Sequence, residues 1–265
     1  MLDLLGIAVA AKFAYDVNKS ADLDEQAIKI NGKAFAVSAD AKRKMEIHRK
    51  DMESAITINA KRKIAILGCH LKKFQSMYGR IRAIRFKEGR GITEIEGIEQ
   101  VQTQLTKYVE TPLLADGVNR TDSQLVVSII RHGGLSGQFV AMSNENLDVA
   151  RKNLANARVV SAQADTICVA YDGISERAKM CTDLLQKLAA VYIKGINHVQ
   201  EMLERNGIDE SKYTEEDVEA INSCLMLTKL IYKIINTPLI GDDGGLTAES
   251  MRVIDEGQHY LAEVL

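Results

Sequence analysis

Proline is the first thing this sequence lacks: there are two in 265 residues. At its usual abundance of about 5%, a chain of this length would carry roughly 13. Tryptophan is absent, and aromatic residues make up only 5%. A chain that nearly avoids the residue helices cannot hold in their interior is expected to consist of long helices. The same scarcity excludes a β-sandwich or β-barrel, which needs closely spaced turns and strands rich in β-branched and aromatic residues. Long apolar runs are missing too. The longest stretch free of Asp, Glu, Lys and Arg is His132 to Asn144, 13 residues, against the roughly 18 needed for a membrane span. The apolar run Leu4 to Ala11 is preceded by Asp3 and cut short by Lys12, so it is not expected to serve as a secretory signal. Cys69, Cys168, Cys181 and Cys224 show no Cys-x-x-Cys spacing. They are expected to be reduced, mostly buried small hydrophobes of a cytosolic protein.

Catalytic motifs are equally scarce. The chain has no Walker A loop, no GxGxxG after a strand, no HExxH and no GxSxG. His132-Gly-Gly-Leu-Ser-Gly137 lacks a strand-turn-helix elbow and is expected to be a helix end and loop. Cys69 and His70 are adjacent on a helix, about 100° apart, so they cannot form a nucleophile and base; a core Cys and a surface His are expected. His198 and Glu201 could share a face as metal ligands, but no second Glu-x-x-His completes a two-metal site. Asp242-Asp243-Gly-Gly lacks the alternating oxygens and closing Glu of a calcium loop and reads as a turn. No catalytic, cofactor or metal residue is expected.

What is present, first, is helical periodicity. Residues 22–86 contain no proline, with Asp22 or Asp24 to cap the start and Gly89 and Gly91 beyond the end. Within them Ala60, Ile64, Leu67, Leu71, Phe74, Tyr78 and Ile81 form one apolar stripe. A second long helix is expected over 144–206, ended by Gly207. Its seam runs Ile174, Ala178, Cys181, Leu185, Leu188, Tyr192, Gly195, Val199 and Met202, in heptad spacing. The upstream stripe from Leu147 to Tyr171 joins it through an extra step of three near Gly173, where overwinding or a kink is expected. Shorter helices are expected within 93–132, started by Thr93 and Thr121, and over 215–264, started by Thr214 and Thr247. The two long helices have nearly equal length. The expected fold is a single all-α domain, an elongated antiparallel hairpin with shorter packing helices.

The second feature is charge. The net charge of −2 conceals an asymmetry: residues 42–90 hold 15 Lys and Arg against four acids, while 201–219 hold eight acids and two bases. The basic side chains Lys42, Arg43, Lys44, Arg49, Lys50, Lys61, Arg62, Lys63, Lys72, Lys73, Arg80, Arg82 and Arg85 recur along the first long helix. They read either as a solvated face answered by the acidic remainder or as a surface for a polyanion. Nucleic acid is the weaker partner, because Phe74, Tyr78 and Phe86 fit core positions better than a stacking platform. Both prolines follow expected helices in similar settings, Thr111-Pro-Leu-Leu-Ala-Asp-Gly117 and Thr237-Pro-Leu-Ile-Gly-Asp-Asp-Gly244, which read as a helix stop and turn used twice.

Asn146 to Ala157 and Asn236 to Ser250, with a fainter match from Lys61 to Phe74, resemble a large bacterial family of uncharacterised long-helix proteins. The resemblance brings no enzymatic activity. It implies a Gly-rich apolar segment between the long helices, suggestive of membrane contact; here that place holds Leu125 to Ile130 and the Gly133–Gly137 loop, too short and polar to span.

The expected function is a non-enzymatic cytoplasmic scaffold or adaptor that self-associates through the heptad seam, with Leu185, Leu188, Tyr192, Val199 and Met202 serving packing or association. Its basic helix would engage an acidic partner or anionic surface. Two alternatives stand beside it. One is a membrane-active helical protein using residues 4–15 and 125–140; the other is a metal-dependent enzyme inside a helical bundle.

Overall fold

The computed structural model describes residues 2–84, 86, 147–241 and 244–264, with side chains from Asp24 onward. All the regular elements among them are helices, apart from one isolated bridge between Ile240 and Leu246. The expected helices within 93–132 lie outside the described residues, as do Arg85 and the segment 125–140.

Helix α1 spans Leu2–Ala65, continues without a break into a π-helical stretch, Ile66–Leu71, and then into α2, Lys72–Ala83. The helix therefore starts twenty residues before the expected one, at Leu2 rather than Asp22, and neither Asp22 nor Asp24 is a cap. The wider π turn also escaped the periodicity. A 4-3-4 spacing has no signature for it, yet it places Ile66 and Leu67, adjacent in sequence, together in the core. The second long helix, α3, spans Leu147–Asn206 and runs uninterrupted through Gly173. It ends where expected, with Gly207 in the left-handed region at φ 65°. Helix α4 spans Glu215–Asn236 behind a capping box, in which Thr214 accepts from the Asp217 N–H and Asp217 accepts from the Thr214 N–H. Helix α5 spans Ala248–Val264, with Thr247 Oγ1 accepting from the Ser250 N–H at 3.1 Å.

The chain divides into two compact units. In the unit comprising residues 51–128 and 172–265, cross-links between the first rod and α3 rise in step. Asn59 meets Thr182 at 3.1 Å, Arg62 meets Gln186 at 3.0 Å, Lys73 meets Asn197 at 2.9 Å and Arg80 meets Leu203 at 2.7 Å. Their separations in sequence stay at 123 to 124 residues. A partner number that climbs with its own number is the mark of parallel helices, so the antiparallel hairpin is corrected. Periodicity is blind to direction, and equal length implies a hairpin only across a short connection; the chain between Ile84 and Leu147 is long enough for a return crossing. Helix α4 does run against α3: Arg205 pairs with Asp217, and the Tyr192 and Thr228 hydroxyls meet. Helix α5 runs along α3 again, with Ser250 on Arg177 and Gly257 against Leu184.

The core of this unit is contiguous. Leu67, Leu71, Phe74 and Ile81 from the first rod pack with Leu185, Leu188, Tyr192 and Val199, with Ile221, Leu225, Ile231 and Ile235, and with Ile254. Each fully buried Leu, Ile or Val contributes about 1.5–3 kcal/mol of transfer free energy. The heptad seam is thus filled from within the chain. Leu185, Leu188, Tyr192 and Val199 are 0% exposed and Met202 is 1% exposed.

The other unit comprises residues 1–50 and 129–171. Here too the helices run parallel, with Asn31 bonded to Asn153 at 3.1 Å and Lys44 at 3.7 Å from Asp165. Over most of their length its buried seams are alanine: Ala27, Ala34 and Ala41 on α1, and Ala150, Ala157 and Ala164 on α3, with the larger Ile167, Cys168 and Tyr171 buried only where α3 leaves the unit. Both alanine sets recur every seven residues, and their small side chains permit close approach. Each alanine buries only one methyl group, worth about 0.8 kcal/mol.

Candidate functional site: basic side chains at helix ends

The structure scatters twelve of the thirteen expected basic residues into different roles. Arg43 bonds Asp40 at 2.8 Å, while Arg49 and Lys50 both reach Glu46 on their own helix turn. Lys44 lies between Asp40 and Asp165. Arg62 and Lys73 tie the first rod to α3 through Gln186 and Asn197. Arg82 lies 6.0 Å from the Tyr78 ring centroid. Lys42, Lys61 and Lys72 are exposed. Arg85 lies outside the described residues.

Two of the thirteen close helix ends. Lys63 is 7% exposed, and its Nζ donates to the carbonyls of Ile235 at 3.0 Å and Thr237 at 3.3 Å. These are orphan acceptors at the C-terminus of α4, where the helix dipole favours a cation. Burial pushes the Lys63 pKa down, with the nearby Cys181 thiol opposing it. Arg80 donates to Leu203 O at 2.7 Å in the last turn of α3. Parallel helices bring their negative ends together, and a basic residue in the last turn of α2 can therefore answer the carbonyls of α3. Tyr213 completes this end: its hydroxyl donates to Gly207 O at 2.7 Å, and its ring meets Phe86 edge-on at 5.8 Å.

A third cation escaped the sequence reading. Arg177 Nη1 donates to Thr247 O at 3.2 Å and to Ser250 Oγ at 2.8 Å. Lys63 and Arg177 therefore hold the two ends of the loop that joins α4 to α5. Inside that loop Thr247 Oγ1 donates to Pro238 O at 2.7 Å, and the Gly241 N–H donates to Gly245 O at 2.8 Å. Arg177 lies outside the basic segment, and only the helix-start signal at Thr247 pointed to this place. The Thr-Pro-Leu turn is thus a closed, clamped loop. Asp242 and Asp243 are outside the described residues, as is the second Thr-Pro-Leu sequence at 111–113.

The buried polar groups serve packing. Thr228 has one hydroxyl proton and places it on Cys224 O at 2.7 Å, so the 2.9 Å bond between the Thr228 and Tyr192 hydroxyls is completed by the tyrosine proton. Burial raises the Tyr192 phenol well above its ordinary range and pushes the Cys224 thiol up to about 12. Neither is ionised near neutrality.

The other expected candidates resolve as follows. Cys69 is exposed and His70 is half-buried, the reverse of the expected core Cys and surface His. In this stretch the core is filled by Ile66, Leu67 and Leu71 instead. His198 and Glu201 are exposed on α3, and no three His, Cys, Asp or Glu side chains gather to hold a metal among the described residues. One described groove, about 270 Å³, lies between Asp51, Ala55 and Ile58 on one helix and Lys179, Thr182 and Gln186 on the other. Asn59 sits below it, donating to Thr182 Oγ1 and Ala178 O. His132 to Gly137 lies outside the described residues.

No family model, no curated protein and no solved structure matches this chain.

Proposed function

We propose that the chain is a non-enzymatic helical scaffold or adaptor of the cytoplasm, whose basic first helix engages an acidic partner or an anionic surface. The observation that carries this reading is how the polar groups between helices are used. Lys63, Arg80, Arg177 and Asn59 all fasten one helix to another, at an end or along a seam, which is the chemistry of a rigid support. Lys61 and Lys72 remain exposed on the same rod, available to an external anion at about 1 kcal/mol per residue near a charged surface. With the seam side chains buried within the chain, self-association would use outer surfaces.

The test is flotation of the full chain with neutral vesicles and with vesicles carrying anionic lipid, beside an acidic polypeptide in solution. The scaffold reading expects binding to an anionic target that falls steeply with salt and weakens at least tenfold in a Lys61→Glu/Lys72→Glu variant. Binding to neutral vesicles that resists salt would instead support a membrane-active protein. Among the described residues no helix is long and apolar enough to cross a membrane. Absence of binding to every anionic target would remove the basic-helix part of the proposal.

A further inference from the structure

We propose that α1 and α3 form, over residues 24–50 and 147–171, a zipper that opens while the other unit, a four-helix unit among the described residues, stays folded. Three independent observations carry it. First, the contiguous hydrophobic core lies wholly in the four-helix unit, running from Ile66 to Ile84 and from Cys181 to Leu261. Between residues 24 and 50 the only buried apolar side chains are Ala27, Ala34 and Ala41; between 147 and 166 they are Ala150, Ala157 and Ala164, and the larger Ile167, Cys168 and Tyr171 come only at the end next to the folded unit. Second, the ties that set the zipper's register are polar and reachable by water. The Asn31–Asn153 amide bond is only part-buried, and the Lys44–Asp165 pair has side chains 48% and 59% exposed. Such contacts are readily replaced by water, unlike the Lys63 clamp on buried carbonyls. Third, large apolar side chains on this stretch of α1 already point outward: Ile28 is 69% exposed and Phe35 is 67% exposed.

Local opening free energy follows the density of buried apolar contact, and segments with little of it open below the global transition. The two parts of each long helix differ sharply in that density. Gly32 in the middle of the α1 stretch lowers local helix stability further. The zipper is therefore a conformational device that can release two helical segments from a folded anchor. This inference does not depend on the scaffold reading; it would hold for a protein of any function.

Hydrogen exchange on the full chain tests it. Amides over 27–45 and 150–165 are expected to exchange at least about 100-fold faster, relative to intrinsic rates, than those over 66–81 and 184–203. They should also become unprotected in urea well below the midpoint of the main transition. In an Asn31→Ala variant, exchange is expected to rise about tenfold further within the zipper and to stay unchanged in the four-helix core. Equal protection in both regions would overturn the proposal. So would loss of protection everywhere in one cooperative step, or an Asn31→Ala effect spread evenly over the molecule.

Discussion

The Lys63 ammonium donates to the carbonyl of Ile235 across 3.0 Å, from one helix to the buried last turn of another. The interaction turns a residue of the basic segment into part of the packing. Replacing Lys63 with Met keeps most of the side-chain volume and removes the donor. The carbonyls of Ile235 and Thr237 are then left without their partner, at a cost of about 2 kcal/mol. Urea denaturation followed by far-UV circular dichroism should show this as a lower midpoint at unchanged slope.

The same lysine gives stability a defined pH dependence. Burial lowers its pKa in the folded state relative to the unfolded chain. Between the two values the unfolded chain binds the proton more tightly, so stability rises with pH. Below the folded value the whole cost of burying the charge is present; it is relieved as pH climbs toward the ordinary lysine value of about 10.4. The neutral amine still has two N–H groups for its two carbonyls. The difference in unfolding free energy between the wild type and Lys63→Met should therefore grow as pH rises toward that ordinary value. A difference that shrinks would contradict the assignment.

Two glycines should respond to alanine with opposite signs. A Cβ on Gly257 would lie 2.7 Å from Leu184 Cδ2 and 3.2 Å from Ile234 Cδ1, whereas on Gly79 it would meet nothing within 4 Å. Gly257→Ala must displace the buried ends of the Leu184 and Ile234 side chains from a close-packed core, and is expected to cost about 1–3 kcal/mol, more than the propensity gain returns. Gly79→Ala is free to take that gain, about 0.5–1 kcal/mol of added stability. Thermal melts of the two variants should move in opposite directions.

These positions show what could be read in advance. The ends of α3 and α4 were legible because glycine in the left-handed region and a Thr-x-x-Asp cap are local signals, independent of any neighbour. The core face of α3 was legible because Leu185, Leu188 and Tyr192 recur with the helix. The identity of what covers that face was not. A seam filled by a second copy and one filled by the same chain have the same spacing. Direction was hidden for a similar reason, since a helix buries the same stripe whichever way its neighbour runs. Lys63 could not be separated from Lys61 by charge. Only the position of the α4 carbonyls distinguishes them, and that position depends on the whole packing of four helices. Arg177 was missed because its partners, Thr247 and Ser250, lie seventy or more residues away.

The filled seam leads to the last expectation, on Leu185. If this side chain formed an interface between copies, Leu185→Ala would dissociate an assembly of otherwise folded chains. Leu185 is instead fully enclosed by its own molecule, beside residues of the first rod and α4. Truncation there leaves a cavity in a close-packed interior, and the expected cost is about 2–5 kcal/mol. Light scattering should give the same mass for variant and wild type at concentrations where both are folded. Denaturation should show the full loss of stability, independent of protein concentration, because no subunit is released in the transition. A midpoint that shifts with concentration in the wild type and not in the variant would return Leu185 to an intermolecular role.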